Sequence, residues 1–186
     1  FFLMGEGADD GPVFVQQVFE VSEIDDARSV ETKICDSIDA VLDNWLPRLK
    51  EGEWNPTPQD ESQATWYGKR APEDGLIDWR DSAIRIDRLV KASTDPYPCA
   101  FTFYDGRLVK VLASEVETRI RIKGVVGRIL LADPKKGSLV QCGEGLLWLQ
   151  RVMSDDEVKL PVGKKLGFDV ELELYKLSKR LDENGK

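Results

Sequence analysis

The 186-residue chain contains no histidine. That absence excludes Ser-His-Asp and Cys-His triads, and any imidazole acid or base, from these residues. Cysteine is scarce: Cys35, Cys99 and Cys142 lie far apart, with no C-x-x-C pair. An odd, scattered set offers neither a disulfide framework nor zinc-ligand spacing, so buried free thiols and no bound metal are expected. No apolar run approaches the roughly 18 residues that a bilayer span requires. Phe1-Phe2-Leu3-Met4 is too short for a signal-peptide core, and Glu6, Asp9 and Asp10 follow at once. The expectation is a cytoplasmic protein with no membrane partner. A basic stripe is also lacking. Residues 1–94 carry 20 acidic and 10 basic side chains, a net −10, and residues 95–186 carry 14 and 16, a net +2. Neither half has the concentrated positive charge that grips a phosphate backbone.

What is present divides near residue 95. Residues 1–4 read as the end of a buried strand, and 13–19 (VFVQQVF) as a second strand. Ala27, Val30, Ile34, Ile38, Val41, Leu42, Trp45 and Leu49 then recur every three or four residues, the stripe of an amphipathic helix packed along one face. Asp25 or Asp26 can cap its start, Gly52 its end, and Pro47 should kink or tighten the last turn. Residues 51–75 are polar and rich in Gly and Pro, a connecting loop that Trp54, Trp66 and Tyr67 could anchor. Asp81 reads as the cap of a second helix bearing Ala83, Ile86, Leu89 and Val90, which ends before Asp95-Pro96-Tyr97-Pro98. From Ala100 the pattern is five short strands, beginning with a hairpin across Asp105-Gly106. Such a series predicts a small closed or nearly closed β-barrel. The charged segment 175–186 is expected to fray.

Three stretches, taken in order, resemble the formyltransferases that use 10-formyltetrahydrofolate. Gly7-Ala8-Asp9-Asp10-Gly11-Pro12 is similar to the family's D-x-G loop. Gln59-Asp60-Glu61-Ser62-Gln63-Ala64-Thr65, continuing through Arg70-Ala71-Pro72-Glu73-Asp74 to Ile77-Asp78-Trp79, is similar to the connecting region. Lys91-Ala92 with Asp95-Pro96-Tyr97-Pro98-Cys99-Ala100 stands where the family usually has R-A-x-x-P-x-P-G-A. Residues 127–148 are similar to its C-terminal barrel, so the resemblance covers nearly the whole chain. It implies the remnant of a doubly wound α/β catalytic domain over 1–94, followed by an OB-like barrel over 95–186. It also implies a chain that begins partway through the catalytic domain. The family's N-x-H motif would fall about 30 residues before Asp9, a strand–helix–strand spacing.

On this resemblance Asp9 is the catalytic aspartate, and Asp9 with Gly11 forms part of the folate site. Attack of an amine on a formyl carbon needs a proton acceptor and donors for the oxygen that becomes negative. Asp9 suits the first role, and Gly11 lets backbone approach closely. Without the resemblance, Asp9 reads as a turn cap before glycine. Trp66, Tyr67 and Arg70 are candidate substrate contacts, a stacking platform with a cation beside it. The stretch 59–74 is most similar to the branch that formylates nucleotide-linked amino sugars. The charge balance suits a tRNA clamp poorly, so methionyl-tRNA is the alternative acceptor. A non-catalytic module that binds substrate or partner is the reading from a different class. A homo-oligomer is compatible with either.

Overall fold

Asp26 begins the longest element because its carboxylate accepts from Ser29 N while Ser29 Oγ accepts from Asp26 N, a reciprocal cap. The computed structural model describes residues 1–155, 158–168 and 170–184. They form two compact units, 1–70 and 71–186. The boundary expected near residue 95 from composition lies inside the second unit, because the helix before it packs on the sheet that follows.

In the first unit, α1 (Ala27–Lys50) runs through Pro47 and ends at Glu51, with Gly52 in the left-handed region at φ 88°. Asp25 holds the first turn from outside. Its carboxylate accepts from Lys33 Nζ at 2.6 Å, from Ser22 N and from Ser29 Oγ, which together keep it well below the usual carboxylate range. The stripe on α1 is only partly covered. Val41 is buried, and Trp45 stacks on Phe1 and Phe14 at 5.8 and 5.3 Å, but Ile34 and Ile38 stay exposed. The strands expected over 1–4 and 13–19 reduce to single bridges, Phe2 to Val13 and Val13 to Thr57. A β-rich composition becomes a strand only when a neighbour supplies a regular ladder, and the backbone bonds that join residues 1–3 to 12–15 do not continue into one. No doubly wound sheet is therefore present among the described residues of this unit.

The second unit is a five-stranded antiparallel sheet with two helices. Its strands are β1 (Ala100–Tyr104), β2 (Arg107–Glu117), β3 (Ile129–Asp133), β4 (Gly137–Gln141) and β5 (Leu146–Met153), ordered β1-β2-β5-β4-β3. The Asp105-Gly106 hairpin forms as expected, both residues at positive φ (50° and 74°), the two-residue turn that matches strand twist. β2 is irregular between Val111 and Ser114; its residues 107–111 pair with β1 and its residues 110–117 with β5, so the two ladders overlap at Lys110 and Val111. At that irregularity α2 (Ala83–Ser93) docks. Asp87 is buried, accepts from Ser114 Oγ at 2.7 Å and pairs with Lys91 at 2.6 Å. Ser82, not Asp81, caps α2. Asp81 is drawn away, its carbonyl accepting from Gly143 N and its carboxylate meeting Arg85.

The ladder does not close. β1 and β3 are edges, and no pairing joins them directly. What links them is the irregular segment 163–167. Lys164 O accepts from Ile129 N and Gly163 N donates to Ile129 O, while Gly167 N donates to Phe103 O on β1. Between those contacts Leu166 is fully buried with Ile86, Val90, Ile129, Val140 and Leu147. The expected barrel is thus an open sheet whose two edges share one strap.

Three further expectations change. Cys99 and Cys142 are buried, but Cys35 is exposed on α1. Burial pushes the Cys142 thiol up to about 12, so it stays protonated. Cys99 holds φ 72°, a left-handed conformation that costs a Cβ-bearing residue about 1–2 kcal/mol. The tail expected to fray is instead α3 (Val170–Asn184), with Glu171 and Glu173 in its first turn; residues 185 and 186 lie outside the described residues.

Three measurements follow from this packing. Leu166→Ala is expected to lower unfolding free energy by about 2–5 kcal/mol in denaturant titration, and to speed amide exchange on β1 and β3 together. Cys99→Gly should exceed Cys99→Ala in stability by about 1 kcal/mol, because only glycine relieves the left-handed backbone. Glu117 is the third. Its side chain is 5% exposed and accepts from Trp148 Nε1 at 2.8 Å and from Arg119 N, contacts that draw its carboxyl down from 4.5 to about 2. A depressed carboxyl stabilises the fold fully above its unfolded pKa, and that stabilisation fades as pH falls from about 4.5 through about 2. The melting-temperature advantage over Glu117→Gln should shrink across that window and remain flat above pH 5.

Candidate active-site loop and a lined cavity

The loop 5–11 sits in the first unit, beside the Phe2–Val13 bridge, and its shape is set by three groups. Asp10 turns inward, its carboxylate accepting from Gly7 N at 3.0 Å. Gly11 is buried, and a Cβ there would collide with the Leu3 carbonyl, so no other residue fits without moving backbone. Gln59 reaches across from the connecting segment, and its Nε2 donates to both Asp9 O and Gly11 O at 2.7 Å. Thr57 and Val13 exchange two backbone hydrogen bonds at 2.8 Å just before it, which fixes the register from which Gln59 projects.

Asp9 is what this frame displays. It is exposed, at φ 56°, and its carboxylate has no hydrogen-bond or ion-pair partner among the described residues. The turn-capping role that a lone Asp-Gly spacing suggests belongs to Asp10, one residue on. A carboxylate kept out of local bonding, at a position of backbone strain, is available to a reacting group. The residue that sequence reasoning missed is Gln59. It stood within the motif stretch, but a contact spanning 50 residues leaves no local signal.

Trp66 and Tyr67 are 81% and 90% exposed, so they do not pin the connecting loop to the core as anchors would. Arg70 is exposed at the last residue of the same unit. Asp60 caps the short turn Glu61–Gln63 through Ser62, which lowers its pKa.

The second unit has its own concavity, about 830 Å³. Trp79, Tyr104, Val126, Leu166 and Phe168 form its apolar part, and Arg80, Lys164, Lys165 and Lys176 its cations. Arg80 and Lys176 each hold a carboxylate close by. Arg80 forms a two-nitrogen pair with Asp78 that draws the carboxyl to about 2, and Lys176 meets Glu173 at 2.6 Å. Among the described residues no group of three or more His, Cys, Asp or Glu is placed to hold a metal.

Comparison with known proteins matches this architecture. Residues 69–164, more than half of the chain, match the formyl transferase C-terminal domain. Among solved structures, a multiply substituted HypX from Aquifex aeolicus aligns with a TM-score of 0.66 at 20% identity, over 97% of this chain and 30% of that one. HypX from Aquifex aeolicus in complex with tetrahydrofolic acid aligns with a TM-score of 0.65 at 23% identity, over 84% and 27%. At these identities the likeness is one of fold, and the chain spans about 30% of the length of these HypX structures. The match covers the five strands and α2 directly: this chain belongs to the formyl transferase family, through its C-terminal domain.

Proposed function

We propose that the chain is part of an enzyme that transfers a formyl group from 10-formyltetrahydrofolate to an amine, and that Asp9 is the acid–base group it contributes. The observation that carries this reading is the loop geometry. A carboxylate without local partners is displayed by a loop that Asp10, Gly11 and Gln59 hold from three sides. An attacking amine becomes cationic as its bond to the formyl carbon forms, and a nearby carboxylate takes the surplus proton. Gly11, with no side chain, lets the donor approach the backbone of the same loop, and a folate-bound HypX relative supports the choice of donor. The groups that stabilise the developing oxyanion belong, on this reading, to the portion of the enzyme preceding residue 1. The 186 residues alone are then inactive.

The favoured acceptor is a nucleotide-linked amino sugar. Trp66 and Tyr67 support it, since both rings are open to solvent as a base-stacking surface would be, with Arg70 close in sequence. The acidic balance of residues 1–94 favours a small substrate over methionyl-tRNA, whose backbone would be repelled.

In the full-length enzyme, Asp9→Asn is expected to lower kcat by about 10²–10⁴-fold with little change in KM for the donor. Gln59→Ala should lower kcat through loop disorder, while Gln59→Glu, which keeps the length but loses the donor, should not rescue it. Formyl transfer by the isolated 186 residues, or full activity of Asp9→Asn, would sink the proposal. Nanomolar binding of initiator tRNA that collapses with salt would move the acceptor to methionyl-tRNA.

A further inference from the structure

α3 carries a row of apolar side chains that nothing in the described structure covers. Val170, Leu174, Leu177 and Leu181 are each more than half exposed. Their spacing of four, three and four residues places all four on one seam, the d-a-d-a positions of a heptad. The α3 residues that line the cavity are Val170, Leu172, Glu173 and Lys176, so the seam meets the cavity only at its first residue, and Val170 is still more than half exposed there. A single exposed leucine is ordinary, but a continuous seam of four calls for a partner helix of the same spacing.

We propose that this seam binds the α3 helix of a second copy of the chain, in antiparallel orientation. Direction follows from the flanking charges. Glu173 and Arg180 both fall at g positions, one heptad apart. In an antiparallel pair the g positions of the two helices face each other, so Glu173 of each copy meets Arg180 of the other, twice by symmetry. The same register stacks Leu174 on Leu177 and Val170 on Leu181, leaving none of the four without a partner. A parallel pair would set Glu173 against Ser178 and gain no ion pair. Within one copy Glu173 already holds Lys176 at 2.6 Å, which fixes its carboxylate on that flank and leaves its second oxygen for the guanidinium. Two heptads make a small interface, and the expected dissociation constant is on the order of 10–100 µM.

Sedimentation equilibrium of the 186-residue chain across that concentration range reads the association, with circular dichroism confirming that α3 persists in each variant. Leu177→Glu should weaken dimerisation at least about tenfold by placing a charge in the seam. Glu173→Arg and Arg180→Glu should each weaken it by about tenfold, since each sets like charges opposite one another at both ends. Mixing these two single variants should restore wild-type affinity, because the heterodimer alone re-forms both opposite-charge pairs. A chain that stays monomeric throughout the range overturns the proposal, as does a dimer indifferent to Leu177→Glu. Failure of the mixture to recover affinity while α3 remains helical overturns the antiparallel arrangement.

Discussion

The second unit depends on one short irregular segment that does the work of a missing strand pairing. Five antiparallel strands with free edges at β1 and β3 would leave two rows of unsatisfied backbone groups. Residues 163–167 answer both edges at once, through Ile129 on one side and Phe103 on the other. Leu166 drives into the core between the two contacts, so apolar burial adds to the segment's own hydrogen bonds in fixing its position. The two edges are thereby bridged by a five-residue segment, through its backbone bonds and one buried side chain, where direct pairing would have used a whole strand.

Around that constraint the remaining contacts are local and polar. The irregularity in β2 would expose Ser114 to an apolar layer if α2 did not bring Asp87 to it, and Lys91 balances the charge that Asp87 carries inward. Trp79, carried on the chain between the connecting turn and α2, buries its ring in the core and satisfies its N–H on Thr102 of β1. The elements that meet the sheet bring apolar side chains together with hydrogen-bond partners, and no buried side-chain donor or acceptor is left unpaired among the described residues.

Elements whose cause is local were legible in the sequence. Asp105-Gly106 forces a hairpin wherever strand-forming residues flank it, and Asp26 with Ser29 starts a helix by reciprocal bonding. Elements whose cause is distant were not. The strap has no periodicity to read, since only Leu166 among its five residues is buried. Asp81 and Ser82 are equally good caps by type, and the choice turns on Gly143, more than 60 residues away in sequence. The segment 13–19 has strand composition without a ladder to join, and α3 was obscured by its charges although its leucine spacing is helical. For the candidate site the family likeness located the loop. Local chemistry alone would have assigned Asp9 the role that Asp10 performs.

The Gln59 clamp ties the loop 5–11 to chain closure. Asp9 and Gly11 take their observed form only after the polypeptide has brought residue 59 back across the whole of α1, a circuit of about fifty residues. Closing such a circuit carries an entropic cost of a few kcal/mol that local turns do not. The geometry around Asp9 therefore depends on contacts far from it in sequence. Fraying of α1, or slippage of the Val13–Thr57 bridge, would be felt at the carboxylate before any residue touching it had changed.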